Sequence, residues 1–423
     1  MPMPVSTWVE VDLDRFTSNL RSIRTLLAEP AGGEETPGQR GMLLVVKADA
    51  YGHGAVEMVE AAGPEGVAGL GVATLHEGIQ LRQAGCRLPI VALSPLLPSE
   101  IREAVAHQLD PSVCDLEFAR ALSAEAARAG RPVRCHVEVD TGMGRTGVSE
   151  SVVEGFLAQL VELPGLRLAS LSTHFPDADG TDLEFARGQA QRFLVLTRRL
   201  AARGLKPARL HAANSAALLN LPEARLDWAR VGLLAYGHHP PNARLRLPVQ
   251  PVMSFKSRLV QVRDFPAGAS ISYARTFVTQ RPTRVGVVAV GYGHGYSWLL
   301  SNRGHMLVGG KRVPILGRVT MDLTMVDLTE VPGAGVGDEV VLFGAQAGAP
   351  GEEIALPLEE VAEGSATIPY EIMCTIGKRV TRIYVRGGRP VKLTSLVGER
   401  EDWADQAVDH FRLRAQAVAA AKR

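Results

Sequence analysis

Apolar runs recur along the first half of the chain and alternate with segments of helical periodicity. A near-continuous apolar run is typical of a parallel strand buried on both faces, and strand–helix alternation predicts βαβ units. Eight runs fit this pattern: MLLVVK (42–47), GVAGLGVA (66–73), LPIVALS (88–94), LDPSVC (109–114), VRCHVEVD (133–140), LRLASLSTH (166–174), LKPARLHAAN (205–214) and LDWARVGLLAY (226–236). The pattern predicts an α/β fold that begins with a TIM-like (β/α)8 barrel, whose chemistry collects at the carboxyl ends of the strands.

The segment 181–204 shows the helical signals between two of these runs. Thr181 and Glu184 have the spacing of a capping box, and Gly204 stands where a helix would stop. We therefore predict a helix that begins at Thr181 and ends before Gly204.

The pattern changes after about residue 245. Runs of β-branched residues, such as KSRLVQVRDF, RVGVVAVGYGHGY and GDEVVLFG, are separated by Gly, Pro and Asp turns with little helix between them. These runs predict a second, mostly β domain. The predicted boundaries are 1–247 for the barrel, 248–388 for the β domain and 389–423 for a C-terminal extension that is polar and then helical.

The composition narrows the class of protein. Lys plus Arg is 46 and Asp plus Glu is 45, which gives no reason to expect nucleic acid or a membrane surface as a partner. The 4 cysteines form no CxxC or metal-binding pattern, so we expect no metal. The N-terminus has no basic segment followed by an apolar one, and we expect a cytoplasmic location.

Several strand-like runs end in residues that can carry chemistry. Lys47 ends the first run, and a strand-end lysine is either solvated or, if desolvated, a Schiff-base former. Asn214 and Ser215 precede a helix, where backbone N–H groups bind phosphate, and Gly232 lets an anion approach the backbone. Arg145, in the glycine-rich DTGMGRTG, either reaches a carboxylate or lies on a flexible surface loop.

These motifs together resemble the alanine racemases, which are fold-type III pyridoxal-phosphate enzymes. The resemblance covers about residues 8 to 385 and is carried by VVKADAYGHG (45–54), DTGMGRTG (140–147), STHF (172–175), HAANSAA (211–217), RVGLLAYG (230–237), SYARTF (272–277), GRVTMDLTMVDL (317–328) and IPYEIMCTIGKRV (368–380). It implies a cofactor, pyridoxal 5'-phosphate, and a homodimer with shared active sites that interconverts L- and D-alanine. The D-alanine would serve peptidoglycan synthesis, or the reaction would serve D-alanine breakdown.

The resemblance also implies roles for individual residues. Lys47 would hold the cofactor and act as one catalytic base, and Tyr273 of the partner subunit would be the second base on the opposite face. Arg145 would contact the cofactor phenolic oxygen and the substrate carboxylate, Arg230 would face the pyridine nitrogen, and His174 would link Arg230 to Tyr273. The remaining expected contacts are to the phosphate (Tyr51, Asn214, Ser215, Gly232, Leu233, Tyr370) and to the substrate (Met321, Asp322).

Three positions depart from the family pattern, and one of them, His294 where aspartate is more usual, we interpret as structural. Many members carry a carbamylated lysine where this chain has Glu138, so we expect an unmodified carboxylate beside Arg145. Thr320 stands where cysteine is common, and its hydroxyl could alter which side chains the substrate pocket accepts.

Three other functions compete with an alanine racemase. A broader alanine/serine racemase is disfavoured by Tyr370, whose bulk should restrict the pocket. A non-catalytic pyridoxal-phosphate carrier would resemble the barrel half alone. A decarboxylase of this fold type would need an acidic group at the pyridine nitrogen, where Arg230 is the opposite choice.

Overall fold

The computed structural model describes residues 5–30, 40–348 and 351–400. Contacts divide the chain into two compact units. The barrel unit comprises Arg15–Ala50 and Gly54–Gln250. The β unit comprises the residues up to Asp14, the short piece Tyr51–His53, and the described residues from Pro251 onward.

The strands of the barrel unit are β2 (Gly41–Val45), β3 (Gly69–Val72), β4 (Ile90–Pro95), β5 (Asp110–Ser112), β6 (Val133–Asp140), β7 (Val148–Ser149), β8 (Leu166–Ser172), β9 (Arg209–His211) and β10 (Trp228–Val231); β1 (Thr7–Asp12) precedes them in the chain. The helices are α1 (Leu13–Ala28), α2 (Lys47–Tyr51), α3 (Ala55–Ala62), α4 (Leu75–Gln83), α5 (Ile101–Ala106), α6 (Leu116–Arg128), α7 (Val153–Leu160), α8 (Glu184–Ala202) and α9 (Ser215–Asn220).

The barrel closes through parallel pairing of neighbouring strands. Its order is β5-β4-β3-β2-β10-β9-β8-β6, and β5 pairs with β6 to complete the ring. Strand β7 pairs only with β6 at the side. The eight apolar runs each contain one barrel strand, which confirms the predicted fold class. Residues such as Leu43, Val137 and Val231 are completely buried in these strands, which explains why the runs lack polar alternation.

Helix α8 corrects one prediction. The helix begins at Glu184, whose N–H donates to the Asp182 carboxylate at 2.9 Å, and its first turn contains no Thr181 capping box. Asp182 is two residues before the first helical N–H, where its short side chain reaches that donor. Gly204 has φ +76°, so the predicted stop at this residue is confirmed.

The β unit contains β11 (Met253–Phe265), β12 (Ser270–Ile271), β13 (Phe277–Val278), β14 (Thr283–Val288), β15 (His305–Val308), β16 (Lys311–Pro314), β17 (Thr324–Asp327), β18 (Glu339–Ala347), β19 (Glu353–Leu356), β20 (Thr381–Arg386), β21 (Arg389–Ser395) and β22 (Gly398–Arg400), with α10 (Leu358–Gly364) and α11 (Pro369–Cys374). The predicted mostly β character is confirmed. Its main sheet has the order β16-β15-β18-β11-β1-β20-β21-β22.

Both ends of the described chain lie in this sheet. Strand β1 pairs antiparallel with β11 and parallel with β20, so residues 7–12 group with the β unit. Strand β21 pairs with β20, although the sequence assigned residues from 389 to an extension. The helix predicted further along that extension lies outside the described residues. Among the described helices, none is long and apolar enough to cross a membrane.

A buried lysine joins three strands of the β unit. The Lys256 Nζ lies 2.7 Å from Glu10 Oε2 and 3.6 Å from Glu339 Oε2, and the lysine side chain is 4% exposed. These residues belong to β11, β1 and β18. Because the cation is buried while the two carboxylates are only partly buried, its removal takes away a desolvated positive charge that both of them face.

We expect Lys256→Met, which keeps the side-chain length, to lower the free energy of unfolding by about 3 kcal/mol. Urea denaturation of the full chain measures this loss. The matched control is Lys311→Met on the exposed β16, which should leave the denaturation midpoint unchanged. Equal midpoints for Lys256→Met and the wild type would contradict a stabilising role for the buried lysine.

Candidate active site

The buried guanidinium of Arg230 organises the carboxyl ends of the barrel strands. Its Nη1 donates to His211 Nδ1 at 2.6 Å and to the His211 carbonyl at 3.2 Å. Its Nη2 donates to His174 Nδ1 at 2.9 Å and to the carbonyls of Thr173 and Ala212 at 2.8 and 2.9 Å. Burial lowers the pKa of Arg230 to about 10, with Glu138 opposing the shift and Arg145 adding to it. The group therefore remains a cation at neutral pH.

Both histidines that contact Arg230 are neutral. Burial, followed by the positive charges of Arg230, Arg145 and Lys47, lowers the pKa of His174 to about 2. Burial and Arg230 likewise hold the pKa of His211 well below its usual value. Arginine can only donate, so each histidine accepts at Nδ1 and carries its proton on Nε2. His174 therefore presents an N–H donor on the side away from Arg230.

One guanidinium nitrogen remains available. The hydrogen bonds of Arg230 to described residues use Nη1 and Nη2, and none of them uses Nε. An N–H donor fixed in this way suits a neutral acceptor such as a pyridine nitrogen. The site therefore fits pyridoxal phosphate at the ring nitrogen. Among the described residues, no group of His, Cys, Asp or Glu could hold a metal ion.

Lys47 begins an unusual backbone turn. Ala48, Asp49, Ala50 and Tyr51 all have φ between 52° and 54°, the left-handed region that side chains other than glycine disfavour. Glu77 at the start of α4 stabilises this turn, because its Oε1 accepts the Ala48 N–H at 2.8 Å. Its Oε2 accepts the N–H groups of Ala73 and Thr74. The carboxylate thus fixes the backbone next to Lys47.

The DTGMGRTG loop is built around Asp140 at the end of β6. The Asp140 Oδ1 accepts the backbone N–H groups of Gly142, Met143 and Gly144 at 2.8–3.1 Å. Burial would raise the pKa of Asp140, but these donors hold it below its usual value. The Thr146 hydroxyl, directly after Arg145 in the chain, donates to the Glu138 carboxylate at 3.0 Å. The loop that carries Arg145 is therefore ordered by two acidic side chains.

The predicted phosphate-binding residues of the barrel unit meet at α9. Asn214 caps this helix, which begins at Ser215, by accepting the Ala217 N–H at 2.9 Å. The Ser215 hydroxyl accepts the N–H groups of Gly232 and Leu234, each at 3.3 Å. Leu233 is buried between these two donors in the chain. Ser215 and Gly232 thus lie together, as expected of a cradle for an anion.

The remaining predicted residues belong to the β unit. The rings of Tyr51 and Tyr370 are in contact, with centroids 5.8 Å apart, and burial followed by Tyr370 raises the pKa of Tyr51. Tyr273 is 71% exposed and Met321 is 52% exposed. Both side chains therefore lie at the surface of the single chain.

The loop that carries Met321 and Asp322 is held from several sides. The Thr320 hydroxyl donates to the Leu323 carbonyl at 2.8 Å and accepts the Leu323 N–H at 3.2 Å, which closes the turn. Asp322 accepts from Arg379 at 2.7 Å. The hydroxyl of Thr320 is therefore engaged within the turn, where cysteine would be a weaker partner.

The sequence analysis did not predict two residues of the barrel site, Glu77 and His211. Glu77 has a visible signal, because Thr74 and Glu77 form the capping box that the structure contains. Its bond to Ala48 spans 29 positions, however, and no local pattern indicates it. His211 is visible as the first residue of HAANSAA, but nothing in the spacing predicts its contact with Arg230.

The neutral histidines predict a pH dependence of stability. An unfolded histidine binds a proton below about pH 6.5, whereas the folded pKa of His174 is about 2, so folding loses stability as the pH falls through this window. We expect His174→Gln to reduce the slope of unfolding free energy against pH by up to about 1.4 kcal/mol per pH unit below pH 6. The control is His76→Gln, an exposed residue of α4. Identical slopes for His174→Gln and the wild type would rule out a neutral His174.

Known proteins are similar to this chain in sequence and in fold. Residues 11–240 match the family described as alanine racemase, N-terminal domain, and residues 252–384 match alanine racemase, C-terminal domain. An alanine racemase of Desulfosudis oleivorans is 41% identical over 394 residues, covering 90% of this chain and 97% of that protein. A second, from Syntrophobacter fumaroxidans, is 41% identical and covers 90% of this chain and 98% of its own length.

The fold comparison agrees. Alanine racemase of Clostridium difficile 630 superposes with a TM-score of 0.86 at 32% identity, covering 93% of this chain and 99% of that one. Alanine racemase of Bacillus anthracis with bound L-Ala-P has a TM-score of 0.84 at 34% identity, covering 94% and 99%. The chain belongs to the alanine racemase family, whose members are isomerases.

Proposed function

We propose that the protein is a pyridoxal 5'-phosphate-dependent racemase that interconverts L-alanine and D-alanine. The observation that carries the proposal is the buried Arg230, whose Nε–H is the donor left for a ring nitrogen. Bound pyridoxal phosphate supplies an electron sink for the substrate Cα carbanion. An arginine partner keeps that sink weak, because it does not protonate the pyridine nitrogen. Racemisation needs a short-lived carbanion, whereas the acidic partner expected in a decarboxylase would strengthen the sink.

Two bases on opposite faces accomplish the proton exchange. Lys47 binds the cofactor through its amine and removes or returns the Cα proton on one face of the substrate. Tyr273 removes or returns the proton on the other face. The Nε2–H of the neutral His174 stabilises the Tyr273 phenolate. Tyrosine has a reference pKa near ~10, so a donor and nearby cations are needed to make it a base at neutral pH.

The remaining residues hold the ligands. Arg145 binds the substrate carboxylate and the cofactor phenolic oxygen, and the Met321 backbone N–H and Asp322 complete the substrate site. The phosphate is held by one set of groups: Tyr51, Asn214, Ser215, Gly232, Leu233 and Tyr370. Alanine is the proposed substrate because relatives carry that name and one is solved with L-Ala-P. A complex of the Clostridium difficile enzyme with cycloserine also supports an amino-acid-sized pocket.

Tyr273 acts in the site of a partner copy. Its exposure of 71% supports this, because a base of a closed active site must be covered when it works. We therefore propose a homodimer in which each active site takes Lys47 from one subunit and Tyr273 from the other.

Circular dichroism polarimetry of L-alanine tests the reaction. We expect Lys47→Ala to abolish decay of the signal, and Lys206→Ala, an exposed lysine, to leave it intact. Tyr273→Phe should lose activity by about 10²–10⁴-fold while keeping the absorbance of bound cofactor, because the hydroxyl is a base and not a cofactor ligand.

A wild-type protein that binds the cofactor and leaves the alanine signal constant would instead be a carrier. A comparable rate with L-serine would indicate the broader racemase.

Mixing two inactive variants tests the shared site. When Lys47→Ala and Tyr273→Phe chains are unfolded together, refolded and supplied with cofactor, half of the dimers are mixed, and each mixed dimer has one intact site. We expect about a quarter of wild-type activity. The control is each variant refolded alone, which stays inactive. An inactive mixture whose mixed dimers are verified by mass spectrometry would mean that Lys47 and Tyr273 act within one subunit.

A further inference from the structure

A chain of buried polar side chains runs through the barrel behind Arg230. Arg230 Nη1 meets His211 Nδ1 at 2.6 Å, and His211 Nε2 meets the Ser170 hydroxyl at 2.8 Å. The same hydroxyl meets His136 Nδ1 at 2.6 Å, and His136 Nε2 faces Asp110 Oδ2 at 3.9 Å. These residues come from β10, β9, β8, β6 and β5. None of the three inner members has a role in the proposed proton exchange.

The direction of every hydrogen bond follows from the arginine. Because Arg230 can only donate, His211 Nδ1 must accept, and the neutral ring carries its proton on Nε2. That proton is donated to the Ser170 oxygen. The Ser170 hydrogen then goes to His136 Nδ1, so the proton of a neutral His136 lies on Nε2 and points towards Asp110.

A charged His136 does not fit the same contacts. If Nδ1 of His136 carried a proton, both imidazoles would donate to Ser170, and its hydroxyl hydrogen would have no acceptor among the described residues. A buried donor without an acceptor costs about 1–3 kcal/mol. With the neutral tautomer, the weakest contact of the chain is the one between His136 Nε2 and Asp110 Oδ2, which are 3.9 Å apart. An N–H dipole attracts a carboxylate at this distance.

Packing holds the two rings in place. The Trp228 ring lies 6.4 Å from the His136 ring and 6.0 Å from the His211 ring, measured between centroids. Ser170 is completely buried, and His136 and His211 are 3% and 2% exposed. Asp110 is also paired with Arg134, whose Nη2 lies 2.8 Å from the same Oδ2 and whose Nε donates to Oδ1 at 3.2 Å. The chain therefore ends at a fixed carboxylate rather than in solvent.

The oriented chain has an electrostatic consequence. Each member presents its acceptor towards Arg230 and its donor towards Asp110, so the dipoles are aligned and polarise one another. Their negative ends stabilise the buried guanidinium, which has no hydrogen bond to a carboxylate among the described residues. The chain also fixes which way the His211 lone pair points, and so where the guanidinium lies.

We propose that Ser170 and His136 are positioning residues: they hold the His211 ring, whose tautomer Arg230 dictates, in a fixed orientation and thereby orient the Arg230 guanidinium. The inference rests on the proposed function insofar as Arg230 is taken to face the cofactor ring nitrogen. The arrangement of protons itself does not depend on that role.

Nitrogen NMR of the wild-type chain tests the proton positions directly. The full chain, loaded with pyridoxal 5'-phosphate, is labelled with ¹⁵N-histidine, and signals are assigned with His136→Asn and His211→Asn. We expect both rings to show an unprotonated Nδ1 and a protonated Nε2. A doubly protonated His136, or the opposite tautomer of either ring, would overturn the proposal without any need for a folded Ser170 variant.

Removal of the hydroxyl tests its effect on Arg230. Ser170→Ala should lower kcat by about tenfold, the equivalent of one buried hydrogen bond, with KM for alanine changed less than about twofold. The His211 Nε2 signal should also shift, because its N–H loses the hydroxyl that accepts it. The matched control is Ser172→Ala on the same strand, a buried hydroxyl whose partner is the Val137 carbonyl at 3.4 Å.

The outcomes separate this inference from the proposed function. Ser170→Ala with wild-type kcat and an unchanged His211 Nε2 signal would overturn the positioning role. So would an equal kcat loss in Ser172→Ala, which would indicate a general effect on packing. If the wild type had no racemase activity, the proposed function would fail, whereas the histidine tautomers would still be decided by NMR.

Discussion

A cation buried at the mouth of the barrel is the constraint on which the site depends. An isolated charge in the interior is expensive, and Arg230 offsets this cost with hydrogen bonds to carbonyls and imidazoles rather than with a direct carboxylate partner. Both imidazoles must be neutral to accept these bonds. The single cation therefore dictates the tautomers of His174 and His211, and through them the donors that the site presents.

The left-handed backbone after Lys47 has a conformational free-energy cost, which hydrogen bonds to two carboxylates offset. A left-handed turn of non-glycine residues is disfavoured by about 1–2 kcal/mol per residue. Glu77 ties that turn to the first turn of α4, and Asp49 adds a bond to the Ala55 N–H at 2.8 Å. Lys47 thus leaves its strand in a direction set by two carboxylates.

The sequence predicts the barrel well because its signal is local. Strands such as β2 and β3 are buried on both faces, so their apolar runs are continuous and can be read without knowledge of their neighbours. The motifs after Lys47 and around Asn214 are also local. The role of β1 could not be predicted, because residues 7–12 pair with strands more than 240 and 370 positions away. The chain His136–Ser170–His211 was missed for the same reason, since its bonds span 34 and 41 positions.

The carbonyl and imidazole acceptors of Arg230 differ in how well they tolerate substitution. Carbonyl acceptors of Arg230 come with the backbone and survive most substitutions, whereas the imidazole acceptors work in one tautomer each. A site that relied on carbonyls alone would hold the guanidinium but would not choose between its orientations. The imidazoles add that choice, because a ring accepts at one nitrogen and donates at the other. Specific orientation of a buried cation therefore requires neutral side chains whose rings are themselves held in place, the role that we propose for the Ser170 hydroxyl at His211.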